Sequence, residues 1–211
     1  MNTKTRIAGH LKEHATIYIF MVILFLTGIV FGAIIVNSMN FVQKQDLYFY
    51  LERFFGHIAN GEQLEHGRIL KSSFLYHVKY LLIMFVLGLS VVGLPLVWIF
   101  LFLKGLMIGF SVGFIVNQLG MKGLMLASLA IAPQNLIIIP IYVAACSLSM
   151  VFSLALLGRL FGRQTTQPIA EPFLRYVSIY VILICLGFGA ALMETFISNE
   201  AMQAIIRAFY K

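Results

Sequence analysis

Long, continuous apolar runs separated by short polar stretches dominate the chain. The run from Ile17 to Val36 is about long enough to cross the hydrocarbon core at roughly 1.5 Å per residue. The run 76–119 is too long for one crossing and divides naturally at Gly93-Leu-Pro95. The apolar positions are continuous rather than alternating, which argues against a β-barrel. The pattern therefore predicts an all-α, polytopic membrane helical bundle of about five spans, near 16–37, 76–92, 96–118, 136–157 and 176–197.

A polar interruption lies in the stretch 131–140, far from any acidic residue. Pro133 lacks a backbone donor, so we expect a helix to kink or break near Ala132 and a short half-helix or kinked segment near 124–140. Gln134 and Asn135 can bond the backbone groups set free there, and Pro140 follows. Two interpretations stay open: a plain proline kink, or a functional break that lines a cavity.

An amphipathic helix is predicted near 41–58, within the polar segment 38–75. Its apolar side is a possible partner surface, made of Leu47, Leu51, Phe54, Phe55 and Ile58. A helix this aromatic belongs in the headgroup region or against a partner protein. The alternative is a lid that packs on the protein's own bundle.

Glycines repeat every four residues in two of the predicted spans. Gly28 and Gly32 share a face of the first span, and Gly105, Gly109 and Gly113 form a strip along another. Small residues at this spacing let two helix backbones approach closely, so we expect these glycines at helix contacts.

Charge and composition support the membrane interpretation. The chain is 61% hydrophobic and 11% charged, against about 25% charged in soluble domains. The net charge of +7 indicates orientation rather than nucleic-acid binding. The basic amino terminus and the 158–175 loop should be cytoplasmic, and 38–75 should face outward, within one membrane domain, 1–211. Lys104 is awkward inside a span, and a tilted span ending near it is an equally acceptable division.

Catalytic chemistry is not expected. The pairs His10/His14 and Glu62/His66 have helical spacing but no third ligand, and Glu194 lies near the end of a span. No nucleophile elbow, zinc-protease motif or phosphate loop is present, so we expect no enzyme, no cofactor and no metal. Cys146 and Cys185 lie within apolar spans, where a structural disulfide is not expected.

Four sequence segments resemble the stage II sporulation protein M family over nearly the whole chain. They are Phe31-Gly-Ala-Ile-Ile-Val-Asn-Ser38, Phe54-Phe55-Gly56, Gly93-Leu-Pro-Leu-Val-Trp98 and Ala132-Pro-Gln-Asn135. The wider membrane family tends to carry a Pro-His-Gly-x-x-Glu-x-Pro element. The stretch 133–140 keeps both prolines but lacks the His, Gly and Glu, a departure that argues against catalysis or ion coupling.

The resemblance implies a multi-pass protein of the mother-cell membrane at the sporulation septum. It implies a scaffold for stage II sporulation proteins D and P, the hydrolases that thin septal peptidoglycan during engulfment. Besides these partners and the lipid bilayer, a homo-oligomer is possible. The alternative function is a small transporter or lipid-handling protein with its site at 133–140. A cavity reaching Gln134 and Asn135 would favour transport, and a closed core would favour the scaffold.

Overall fold

The computed structural model describes residues 14–59, 66–161 and 170–209. Every regular element in these three ranges is helical, which confirms the predicted all-α fold class. The α-helices are α1 (Ala15–Ser38), α2 (Phe41–Ala59), α3 (His66–Gly88), α4 (Gly93–Leu126), α5 (Ala132–Leu160), α6 (Ala170–Met193) and α7 (Asn199–Phe209). Two π-helical turns, Ala127–Ile131 and Glu194–Ser198, join α4 to α5 and α6 to α7.

Four helical runs of the described chain are long and apolar enough to cross a membrane: Ala15–Ser38, His66–Gly88, Gly93–Leu160 and Ala170–Ala208. The third run, of 68 residues, reverses at Gly120, whose φ of 56° and ψ of −129° lie outside helical values. Ile115 and Leu119 before this glycine pack with Leu126 and Ala130 after it. The run therefore has two arms, each long enough to cross a membrane, which is roughly consistent with the five spans that the sequence predicts.

The second crossing starts earlier than predicted. The helix α3 begins at His66, whereas the sequence places residues 66–75 in the outer polar segment. Its first turns carry Arg68, Lys71 and two serines, which lower the hydropathy of the stretch. The helix nevertheless belongs to the bundle because Ser73 and His77 are buried against polar partners there. The expected division at Gly93 agrees with the structure, where a turn separates α3 from α4.

The predicted break at Pro133 is replaced by the π turn Ala127–Ile131. Inside this turn the Ala132 N–H donates to the Ala127 carbonyl, one residue further back than in an α-helix. Pro133 then lies in the first turn of α5, where a missing donor costs little. The predicted half-helix and the following span are thus continuous, with Pro140 inside α5.

The predicted glycines lie where α1 meets α4. A Cβ at Gly28, Gly32, Gly105 or Gly109 would overlap a backbone carbonyl of the facing helix. The carbonyls concerned are those of Phe102, Leu106, Phe25 and Ile29, respectively. A Cβ at Gly113 would lie 3.3 Å from the Ala33 Cα, which is tight but not an overlap. Glycine on both helices therefore sets the distance between these two backbones.

A second, smaller hydrophobic core lies where α2 and α7 pack on the end of α4 and on the first π turn. Phe55 and Ile58 of α2 are buried there. They pack with residues of α4, of the π turn and of α7, namely Leu126, Ala130, Ile205 and Ile206. The amphipathic helix is confirmed at Phe41–Ala59, and one of its sides rests on the protein's own bundle.

Candidate functional site

A polar cavity of about 250 Å³ lies among α3, α4, α5 and the second π turn. Polar side chains converge here from four separate parts of the sequence. The lining residues are Ser72, Ser73, Tyr76, His77, Lys104, Gln134, Asn135, Ile138 and Glu194. We call this feature the polar cavity.

His77 and Glu194 form the centre of its hydrogen-bond network. The His77 Nε2 lies 3.6 Å from the Glu194 Oε2, and the Ser73 hydroxyl donates to the same carboxylate oxygen. The other ring nitrogen of His77, Nδ1, lies 2.7 Å from the Tyr142 hydroxyl. Ser73, His77 and Tyr142 are buried, while the side chain of Glu194 is 32% exposed. The carboxylate is therefore more exposed than the other members of the network.

Lys104 lies beside the cavity in a cage of tyrosines. Its Nζ donates to the Tyr76 hydroxyl at 3.1 Å. The same nitrogen lies 4.5 Å from the ring centroid of Tyr76, 5.1 Å from that of Tyr142 and 5.8 Å from that of Tyr80. Aromatic faces attract a cation, by about 2 kcal/mol or more when it is desolvated. This cage explains how α4 carries a charge within a crossing, so no span needs to end at Lys104.

The two amides after Pro133 have different surroundings. Asn135 Nδ2 donates to the Ile131 carbonyl at 2.7 Å, at the end of the π turn. Gln134 Oε1 is buried and has no hydrogen-bond partner among the described residues. Both amides line the polar cavity, so the arrangement is that of a lined cavity rather than a plain kink.

One π turn contributes to the cavity lining, and the other precedes it closely in the chain. The first ends at Ile131, shortly before the amides, and the second begins with Glu194. A π turn inserts one residue into a helix and so changes which face the following side chains occupy, and such turns occur frequently at functional sites. Gln134 follows the first π turn, Glu194 begins the second, and both residues line the polar cavity.

Sequence reasoning missed His77 and the place of Glu194 in this site. A signal was available, because an ionisable residue inside an apolar run is expensive and usually functional. His77 lies in such a run, and Glu194 lies inside the predicted span 176–197. What the sequence could not show is that these residues, distant in the chain, are neighbours of Gln134.

The other candidate residues do not join this site. His10 and Glu62 lie outside the described residues, so neither of their histidine pairs can be placed. Within the described part of the chain, no three metal-ligating side chains form a group. Both cysteines are free: Cys146 is buried and Cys185 is exposed.

The predicted partner surface on α2 is divided by the structure. Phe55 and Ile58 are buried, so they face the bundle and not a partner. Leu47 and Leu51 are half-buried, and Phe54 is 43% exposed. The alternative of a lid packed on the bundle describes this side of the helix better than a free surface does.

The family model of stage II sporulation protein M matches residues 21–199. This chain belongs to that family. No curated protein sequence and no solved structure matches it. The matched region contains the glycines between α1 and α4 and every residue that lines the polar cavity.

Membership in the stage II sporulation protein M family makes the chain a sporulation-related, multi-pass membrane protein. The stretch 133–140 lacks a His and a Glu, and the polar cavity that it borders contains His77 from α3 and Glu194 from the second π turn.

Proposed function

We propose that the chain is a non-catalytic scaffold of the septal complex that thins peptidoglycan during engulfment. In this proposal it holds stage II sporulation proteins D and P at the mother-cell membrane. The observation that carries the proposal is a group of exposed apolar side chains on α2, apart from the residues of this helix that are buried against the bundle. We call it the outer face of α2, and it consists of Phe41, Val42, Phe49 and Tyr50, which are 79%, 65%, 55% and 67% exposed.

The outer face is held rigidly. Phe55 and Ile58 pack this helix against α4 and α7, so the helix cannot rotate its exposed residues inward without breaking that core. Large aromatic side chains on a fixed helix are typical of binding hot spots, since little conformational freedom is lost when they bind. Arg53 lies over the Phe49 ring, 4.8 Å from its centroid, and adds a charge beside the apolar surface.

Orientation supports a role on the wall side. The bias of basic residues predicts a cytoplasmic amino terminus, and one crossing then places α2 on the outer side of the membrane. Septal peptidoglycan and its hydrolases are on that side. The catalytic work would belong to the partners, and this chain would supply position.

Substitution on the outer face tests the scaffold. We expect Phe49→Ser with Tyr50→Ser to reduce the recovery of proteins D and P with the chain at least tenfold and to block engulfment. The matched control is Leu160→Ser with Phe161→Ser at the carboxyl end of α5, where both residues are 77% exposed. Membrane levels of both variants are measured in parallel. Full recovery of both hydrolases with the α2 variant would refute the outer face as their binding surface.

A second function is favoured by the polar cavity. A transporter or lipid-handling protein needs an internal polar site, and the cavity reaches Gln134 and Asn135. Glu194→Gln distinguishes the two functions because Glu194 is remote in sequence from the outer face. If the variant still binds both hydrolases but does not support engulfment, the polar cavity has a function separate from the scaffold. If engulfment is normal, the scaffold is sufficient.

A further inference from the structure

Two opposite charges line the polar cavity without pairing with each other. The carboxylate of Glu194 accepts a hydrogen bond from Ser73 at Oε2 and lies 3.6 Å from the His77 Nε2, and the ammonium of Lys104 donates to the Tyr76 hydroxyl. The ion pairs of the described residues include none between Lys104 and Glu194. Each charge therefore has a hydrogen-bond partner of its own, Ser73 for Glu194 and Tyr76 for Lys104, and both charged residues line the same cavity.

A third group requires a donor. Gln134 Oε1 is buried and lacks a hydrogen-bond partner among the described residues, and the residue Gln134 is part of the lining of the same cavity. A buried acceptor without a donor costs free energy, so a ligand that brings an N–H or O–H group gains affinity there. The cavity therefore presents a carboxylate, an unpaired amide oxygen and an ammonium within one small volume.

We propose that the polar cavity binds a zwitterion. Its primary ammonium lies between Glu194 and Gln134, and its anionic group, a phosphate or a carboxylate, lies at Lys104. This inference goes beyond the scaffold and rests on the cavity that favours the second function. It concerns binding alone and holds whether or not the ligand is carried across the membrane.

A simple ion fits the cavity less well than a zwitterion. An anion at Lys104 leaves Glu194 uncompensated, and a cation at Glu194 leaves Lys104 uncompensated. Like charges repel strongly where water is scarce. An anion at Lys104 is therefore also repelled by Glu194, and a cation at Glu194 is also repelled by Lys104. A ligand with both charges satisfies both groups at once.

The volume limits the ligand. About 250 Å³ is below the usual range for drug-sized ligands, which begins at roughly 300 Å³. Two sources have the required chemistry: the headgroup of an aminophospholipid such as phosphatidylethanolamine, and a free small zwitterion such as an amino acid. Both offer a primary ammonium with three donors, which a trimethylated ammonium does not.

Binding to the purified, delipidated full-length protein tests the proposal. Calorimetric titrations use short-chain phosphatidylethanolamine and its phosphatidylcholine counterpart, and in a second arm glycine, phosphoethanolamine and phosphocholine. We expect the primary ammonium compound to bind at least tenfold more tightly than its trimethylated counterpart. Binding of the lipid alone identifies a headgroup site, and binding of the soluble compounds identifies a free zwitterion.

Charge-removing variants with matched controls complete the test. Glu194→Gln and Lys104→Gln should each weaken binding at least tenfold. Glu200→Gln and Lys79→Gln remove the same charges from exposed residues that do not line the polar cavity, and both should leave binding unchanged. The headgroup comparison needs only the unaltered protein, so it decides the matter even where a variant fails to fold.

Three outcomes would overturn the proposal: no binding of any compound, equal binding of the methylated counterparts, or binding that survives both cavity substitutions. None of these affects the scaffold, whose test is the recovery of proteins D and P through the outer face of α2. Conversely, if the α2 variant loses the hydrolases but binds the zwitterion normally, the result concerns only the scaffold surface and this inference stands.

Discussion

A histidine inside the bundle is tolerable because both of its ring nitrogens have partners. His77 lies between Tyr142 on one side and Ser73 and Glu194 on the other. In a region poor in water, each polar atom of such a network depends on the next one. Removing one member therefore affects the others, and single substitutions can measure how strongly.

Tyr142→Phe removes only the hydroxyl that faces His77 Nδ1. The imidazole is then left with one unsatisfied buried nitrogen, and we expect a loss of about 1–3 kcal/mol in the free energy of unfolding. Denaturation in mixed detergent micelles measures it. Tyr50→Phe, at an exposed position, is the control and should be neutral. Equal stability of the two variants would mean that the Tyr142 hydroxyl contributes nothing.

Substitutions of the neighbouring amides Gln134 and Asn135 should have different effects on the free energy of unfolding. Asn135→Leu removes a hydrogen bond to the Ile131 carbonyl, and we expect a loss of about 1 kcal/mol. Gln134→Leu removes a buried acceptor that lacks a partner, so stability should hold or rise. The same micelle denaturation compares them. A larger loss for Gln134→Leu than for Asn135→Leu would contradict the assigned hydrogen bonds.

At the residue scale the sequence carries part of the site. Proline and two amides in an apolar run indicate that freed backbone groups need partners, and Asn135 has that role. The unpaired state of Gln134 and the contact between His77 and Glu194 depend on how three distant helices are placed. Neither depends on a local pattern, so no local pattern could reveal them.

Close approach of two helices is fixed by four glycines at the contact of α1 with α4. A Cβ at Gly109 would overlap the Ile29 carbonyl, whereas one at Gly189 of α6 would meet no described atom within 4 Å. Gly109→Ala should therefore lower the unfolding free energy by about 1–3 kcal/mol, since the helices must separate. Gly189→Ala is the matched control.

Thermal unfolding in detergent compares the two alanine variants, and Gly109→Leu should be worse than Gly109→Ala. If Gly109→Ala were as stable as Gly189→Ala, the contact would not be close enough for a Cβ to matter. The periodic glycines predict a close helix contact from sequence alone. They do not predict which helix is the neighbour, because every small-residue strip offers the same flat surface.

Helix ends and interruptions were harder to predict than helices. The early start of α3 at His66 follows from tertiary partners for Ser73 and His77, and hydropathy does not register such partners. The π turn before Pro133 accommodates the proline within a continuous helix, because the backbone hydrogen bonds are re-spaced there and not lost as at a break. Both solutions begin with the same proline, so the sequence alone does not choose between them.

For the whole molecule, five crossings place successive connections on alternating sides. With the amino terminus inside, Asp46 of α2 and Met121 after the Gly120 reversal face outward, while Val92 and Phe161 face the cytoplasm. In a background without Cys146 and Cys185, single cysteines at the first two positions should react with an impermeant reagent on intact cells. Cysteines at the last two should react only after the membrane is opened, and the reverse pattern would invert the topology.

The contact between α1 and α4 also has a consequence for biosynthesis. Phe25 and Ile29 meet glycines that the ribosome adds only after α2 and α3 are complete, which takes several seconds at about 5–20 residues per second. During that interval the first helix is in the bilayer with its glycine face covered by lipid alone. A cell that makes this chain therefore has a defined window in which its membrane quality-control proteases can recognise an unassembled first helix, and the window closes when the fourth helix leaves the translocon.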